Sequence, residues 1–546
     1  MHRRMTTRDS TELVISNQPQ FFFDNSLLEE AQNVTRTTHS PQKDPLNPLI
    51  KRDQAWEHVV DFNSSDYQVW KDTATSQFHC IYRDLNIDSE KLARVGGTII
   101  DWNISRFRQL YARSDDGLTW EKPPLGLVTE NGNDTNILMG SEEFGNAWGF
   151  NPIEDPLEPN PNRKFKAIFF HGPPGFAVAD EQPGAQMRSA SSPDGVHWTV
   201  DEDQPTFGSS GSRLGDVNFP FFNPETQTYL SNTRHPLLEL APRTREPNAT
   251  VLGGSPGFDP VMDTPNRRAV RRIFQSESPD LRRWSTPRLI LAPDPAFDNL
   301  DDGLYGMWPL RVGNEWLGFI QVFHMVSNTS DIQLAHSRDG KNWTRLAPGK
   351  PWLTNGTRGA WDEFQIFTPR VIPHGDEMWV YYGGASCHHD WWMVGRQEGL
   401  DVEEAYDSSK AQEGLGLARL RLNGFFSIGA HRVREGMLAT QPLIAAGDTL
   451  VINGACGPDG YIKVEVANVR NEVLPGKNLD QCDPFTADDT SHVVTWNGDH
   501  KIPVPSPAAA STVSGYTSRP EHRRFRFIMR DAELYTFQIT DSSVTR

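Results

Sequence analysis

Short apolar runs, each ending in a polar corner, recur along most of the chain. The runs Arg108–Ala112, Gln186–Ala190, Arg272–Ser276 and Asp331–Ala335 read as strands. Each is followed by a copy of one phrase. The copies are Ser114-Asp115-Asp116-Gly117-Leu118-Thr119-Trp120, Ser192-Pro193-Asp194-Gly195-Val196-His197-Trp198, a degenerate Ser278-Pro279-Asp280-Leu281-Arg282-Arg283-Trp284, and Ser337-Arg338-Asp339-Gly340-Lys341-Asn342-Trp343. Leu422-Asn423-Gly424-Phe425-Phe426 is a shorter fifth candidate. An Asp-Gly corner closes a tight hairpin because Gly takes the positive φ the turn demands. The Trp that follows can cover the turn. A hairpin returning at uneven intervals of a blade or more is a propeller signature, with loops inserted between copies.

A second strand pair precedes each hairpin: Tyr67–Arg83, Phe165–His171, Asp216–Arg234, Leu304–His324 and Glu363–Gly384. Five pairs predict an all-β fold with a five-bladed β-propeller over residues 46–435. From 436 to 546 the pattern becomes a period-two alternation, as in Tyr461–Val466 and Arg524–Met529, which predicts a C-terminal β-sandwich. Residues 1–45 are polar and unpatterned, and are expected to form a loosely ordered arm.

Composition narrows the function. The 546 residues include 16 Trp, 29 Phe, 43 Gly and 40 Pro, which suits a turn-rich β protein. A formal charge of −18 argues against a nucleic-acid partner, since phosphate binding needs a basic surface. No window is apolar enough for a membrane span, and the N-terminus shows no signal-peptide core. Asn-x-Ser/Thr sequons from Asn33 to Asn355 would permit secretion, so the compartment stays open. Four Cys exclude a disulfide-dense scaffold, and only Cys456 and Cys482 lie near enough in sequence to suggest a pair in an oxidising compartment.

Several stretches resemble glycoside hydrolase family 32, and more closely its uncharacterised relatives. They are Trp120-Glu-Lys-Pro-Pro-Leu-Gly, Leu304-Tyr-Gly-Met, Gly359-Ala-Trp-Asp, Leu420-Arg-Leu-Asn-Gly-Phe-Phe-Ser, Leu479-Asp-Gln-Cys-Asp-Pro-Phe and Phe527-Ile-Met-Arg-Asp-Ala-Glu-Leu-Tyr-Thr-Phe. The resemblance covers roughly residues 45–540 and implies a carbohydrate substrate. The family's Trp-Met-Asn-Asp-Pro-Asn-Gly, Arg-Asp-Pro and Glu-Cys motifs are absent. By blade order the resemblance implies Asp66 as nucleophile, Asp216 as transition-state stabiliser and Asp302 as acid/base.

The residues themselves support a similar set. Glycoside cleavage needs one carboxyl group to protonate the leaving oxygen and another to attack or to activate water. In a propeller the first residues of the innermost strands converge at one mouth of the central funnel. Asp216 precedes the apolar Val217–Phe222, where a lone carboxylate needs a reason, a capped strand end being the alternative. Asp301 and Asp302 precede Leu304–Trp308, Asp66 follows Ser64-Ser65 and reads equally as a turn acid, and Glu363 opens the fifth pair beside Asp362. Asp155 reads as a turn residue. Trp148, Trp308 and Trp361 lie close to strand starts and could stack on a sugar, although most Trp in a propeller pack. Arg234 and His324 end second strands and are further substrate-binding candidates.

No cofactor and no metal are called for: the adjacent residues of Cys387-His388-His389-Asp390 point to opposite sides, so a solvated or substrate-contacting loop fits better. Ser255 in Gly253–Gly257 lacks the strand and helix of a nucleophile elbow. The Ser-Asp-Gly-Trp phrases resemble the Asp boxes of sialidases, but no arginine cluster for a substrate carboxylate is assignable. Two other readings compete with a glycosidase on a furanoside or related glycan. One is a non-catalytic carbohydrate-binding propeller, and the other is a polysaccharide lyase or glycoside phosphorylase.

Overall fold

The computed structural model describes residues 13–87, 105–139, 146–172, 186–208, 214–215, 217–234, 271–389, 410–503, 512–513, 516–517 and 522–541. These residues are nearly all strand or turn. They make a five-bladed propeller and a C-terminal β domain, and no described helix is long and apolar enough to cross a membrane.

Each blade is an antiparallel sheet of four positions, numbered from the axis outward. Blade I runs through Val60–Asp61 and Gln68–Lys71, Phe78–Ile87, Ser105–Ser114 and Ile137–Met139. Blade II runs through Asn146–Trp148 and Ile153–Glu154, Phe165–Gly172, Gln186–Ser192 and Thr199–Val200. Phe165–His171 is thus one strand, not a pair: Pro152 and the positive φ of Gly149 interrupt the inner strand, which hid its apolar pattern. Blade III is Asn218–Asn223, Thr228–Arg234, Ile273–Ser278 and Arg288–Leu291, and blade IV is Asp302–Val312, Glu315–His324, Thr329–Ser337 and Thr344–Leu346. Blade V begins with Gln365–Ile366 and Arg370–His374, then Glu377–Ala385 and Glu413–Arg421.

Its fourth strand comes from the other end of the chain. Gln42–Lys43 and Ile50–Lys51 pair with Glu413–Arg421. Asn47 fixes the join in both directions, donating to the Leu417 carbonyl at 2.8 Å and accepting from the Leu417 N–H at 2.7 Å. The expected loose arm is therefore corrected from residue 13 onward. Leu13–Ile15, Gln20–Phe21, Leu28–Gln32 and Val34–Thr38 all pair with strands of the C-terminal domain. Side chains of Glu29–Gln32 are exposed, so the strand is held by its backbone and carries no apolar signature.

In that domain Thr449–Ala467 and His522–Thr540 form a central pair of 19-residue strands. Phe426–Ala430 and Gly436–Thr440 add to it, so the domain starts at Phe426 rather than at 436. Leu450, Phe525, Phe527 and Phe537 lie in its core. All four cysteines are free thiols.

The repeated phrases form the outer corners. In each, the Ser hydroxyl donates to the Asp carboxylate, which accepts two backbone N–H groups further on, as at Asp194 from Val196 and His197, both 2.8 Å. The Trp indoles of Trp198, Trp284 and Trp343 donate to the carbonyl of the corner residue, at 2.9, 3.1 and 3.0 Å. Trp284 and Trp343 are buried, whereas Trp120 and Trp198 are half-buried. In blade I the Gly117 carbonyl accepts instead from the Tyr381 hydroxyl of blade V, at 2.9 Å.

Candidate active site at the funnel mouth

Inner strands of a propeller run in the same direction, so their starts share one end of the axis with the ends of the second strands. Register places Asp61 opposite Arg83, Ala147 opposite His171, Asn218 opposite Thr233, Asp302 opposite His324, and Gln365 opposite Ala385, which faces Glu413. Contacts at this mouth close a ring from blade to blade. The Gly149 N–H of blade II donates to Asp66 of blade I at 2.6 Å. Asn151 reaches the Asn218 carbonyl of blade III at 3.5 Å. Arg234 of blade III lies over the Tyr305 ring of blade IV, 4.3 Å from its centroid. The Tyr305 hydroxyl and a His389 ring nitrogen of blade V are 2.7 Å apart. The Phe62 N–H of blade I points back to Glu413 of blade V at 3.4 Å.

One wall carries carboxyl groups. Arg83 donates to Asp61 through Nε at 2.8 Å and through Nη2, while its Nη1 sits 3.0 Å from Asp66. Its guanidinium also lies 4.4 Å from the Phe107 ring centroid. Burial works against the charge on Arg83, but Asp61 and Asp66 hold it firmly cationic. Next along the strand, Asp84 faces the other way and binds Arg108. Glu413 hydrogen-bonds Asp61. Burial first, and the charge of Asp61 second, push its carboxyl well above the usual carboxylate range.

The other wall is basic and aromatic. Arg234 and Arg271 lie over the same Tyr305 ring, at 4.3 and 4.9 Å, and Arg271 also lies 5.0 Å from Phe323. Sequence reasoning assigned no arginine cluster, because Arg234 and Arg271 are far apart in the chain. His324 sits between Asp302 at 2.6 Å and Asp331 at 2.9 Å. The hydrogen bond to Asp331, with that to Asp302, outweighs burial and pushes the imidazole up to about 9.

The sequence candidates are distributed unevenly. Asp66 is in the carboxyl wall. Asp302 is buried in the His324 bridge and also accepts from the Asn299 N–H at 2.8 Å. Glu363 accepts from the Gly359 N–H at 2.6 Å and closes its own loop. Asp216 lies outside the described residues. Trp148 is buried and stacked on Phe170 at 5.3 Å, and Trp361 is stacked on Tyr382 at 5.7 Å over glycines 384, 414 and 416, so both pack. Trp308 is half-buried beside Phe319, with Arg370 5.8 Å from its ring. Asp155 accepts from the Tyr229 hydroxyl.

Asp61, Arg83, Arg271 and Glu413 were missed. Asp61 and Glu413 carry the signal that singled out Asp216, an acid against an apolar strand: Val59-Val60-Asp61-Phe62, and Glu413 before Leu415–Leu417.

No protein-family model and no curated sequence matches the chain. Among solved structures it is similar to one described as "Glycoside hydrolase", at 12% identity and a TM-score of 0.43, covering 70% of this chain and 92% of that one. It is also similar to a β-1,2-mannobiose phosphorylase from Listeria innocua, at 13% and 0.40 over 70% and 96%. An N-acetylgalactosamine deacetylase from F. plautii, in complex with blood group B trisaccharide, gives 16% and 0.41 over 71% and 96%.

Proposed function

We propose that the chain is a glycoside hydrolase acting on a furanoside or related carbohydrate, with Asp66 as the carboxylate that meets the reacting carbon. The observation that carries this reading is the setting of Asp66 at the mouth. A guanidinium and a main-chain N–H both bind its charged form, from two different blades, which fixes the carboxylate in place. A fixed negative charge beside the ring is what an oxocarbenium-like transition state requires. Asp216, preceding the inner strand of blade III, is proposed as the transition-state stabiliser by its position in the chain.

The competing reading, a carbohydrate-binding propeller without turnover, draws on the engagement of Asp302 and Glu363 with neighbouring groups. Hydrolysis of sucrose, inulin, levan and aryl furanosides separates the two. Turnover of at least one substrate is expected, and Asp66→Asn should lower it about 10²–10³-fold, as removal of one such electrostatic contact does. Calorimetric binding of a glycan with no hydrolysis of any would establish the binding module instead. Full activity in Asp66→Asn would remove Asp66 from the mechanism.

A further inference from the structure

Hydrolysis at this mouth needs a proton donor, and Asp302 is held by His324 while Glu363 closes its own loop. We infer that Glu413, on the third strand of blade V, is that donor, with Asp61 of blade I as its positioning residue. The inference rests on the glycosidase reading of the mouth.

The geometry brings the two blades together at this point. Glu413 opens its strand opposite Ala385, which in turn faces Gln365, so it stands level with the inner-strand starts. Blades V and I are in close contact there, since a methyl group placed on Gly383 would come within 2.3 Å of the Phe62 carbonyl oxygen. The Phe62 N–H donates to Glu413 Oε2, and the Glu413 and Asp61 carboxyl groups hydrogen-bond each other. Two touching carboxyl groups cannot both be ionised, so one proton stays on the pair. Which group keeps it follows from Arg83, whose two donors bind Asp61. The proton is therefore assigned to Glu413, the carboxyl without the two guanidinium donors. Glu413 is the less buried of the two, Asp61 being 4% exposed.

The charged groups facing Glu413 are Asp61 and Arg83, with Asp66 on the far side of Arg83 and Lys51 on the adjoining strand, where it pairs with Gly414. In the reaction Glu413 gives its proton to the glycosidic oxygen as the bond from that oxygen to the anomeric carbon breaks. Water then adds its oxygen to the anomeric carbon and returns a proton to the Glu413 carboxylate. The sum is one glycoside and one water converted to two hydroxyl compounds, with no oxidant or cofactor consumed.

The test compares leaving groups. Glu413→Gln should cut hydrolysis of a sugar or alkyl furanoside about 10²–10⁴-fold, the range of general acid catalysis. It should slow a nitrophenyl furanoside far less, because nitrophenolate leaves without being protonated. Asp61→Asn should move the alkaline limb of the pH–kcat/KM profile to lower pH, since the charge that keeps the proton on Glu413 is gone. Infrared spectra at pH 7 should show a protonated-carboxyl band in the wild type that Glu413→Gln lacks, a readout independent of any substrate. Equal losses on both leaving groups, or no such band, would overturn the inference while leaving the glycosidase reading intact. A wild type that shows the band but hydrolyses nothing would overturn both, leaving the pair as a structural one.

Discussion

His324 is bonded through both ring nitrogens to carboxylates, Asp302 at 2.6 Å and Asp331 at 2.9 Å, so the imidazolium is the form this pocket stabilises. Its folded-state value of about 9 lies above the ordinary 6.5. The bridge therefore contributes stability that is present in full below pH 6.5 and is lost as pH rises through 9. With allowance for solvent at the partly exposed ring, the contribution is about 1–2 kcal/mol. Thermal melting of the wild type should thus weaken between pH 6.5 and 9.5, and His324→Gln should flatten that slope. A variant that keeps the slope would place its origin in another group. The same bridge shows what sequence could and could not tell about this site. Asp302 was legible as an acid at a strand start, but its partner Asp331 lies on the next strand but one and is paired through His324 only once the blade has folded. Glu413, although it carries the acid-before-apolar-strand signal, was passed over for a related reason: attention to inner strands alone misses a third strand that returns to the same mouth.

The Asp-Gly corners are the most legible elements because everything they need is local. Ser, Asp and Gly satisfy one another within four residues, and the structure repeats the pattern even in the copy with Leu281 at φ +61°. That Leu accepts an unfavourable backbone conformation while its side chain is buried. Gly195 has no such option. Its φ is +80°, and a Cβ there would stand 2.8 Å from the Trp70 ring of blade I. Gly195→Ala should therefore cost about 2–3 kcal/mol, from left-handed backbone strain together with displacement of Trp70. Denaturant unfolding checks this, and a change below about 0.5 kcal/mol would mean that the corner does not lock blade II onto blade I. Blade II also marks the limit of legibility, since its inner strand is broken between Trp148 and Ile153 and shows no period-two run.

At the scale of the molecule, the number of blades was legible from counting corners and strand pairs, whereas the closure of the ring was not. Closure depends on polar residues whose role is carried by backbone hydrogen bonds and by a few charges. Lys43 binds the buried Asp362 at 2.5 Å and Asp44 binds Arg419 at 2.9 Å. Removing residues 1–51 should abolish cooperative unfolding, because it opens the edge of blade V, strips strands from the C-terminal domain and leaves Asp362 buried without its cation. A truncated chain that still melts in one sharp transition would show that the N-terminal strands are dispensable.

This closure also sets a timetable. The segment at residues 42–51 leaves the ribosome well before its partner at 413–421, which follows roughly 360 residues later. At about 5–20 residues per second that is a wait of roughly 20–70 s. Through that interval the nascent chain holds a strand with nothing to pair with and blades that stand as an open arc, each with unsatisfied backbone edges. Local corners form at once, but the arc cannot be sealed until translation of the propeller is over, and contacts this distant in sequence are slow to find. Shielding of an N-terminal edge, by a chaperone or by transient pairing within the chain, is therefore a requirement this architecture places on the cell that makes it.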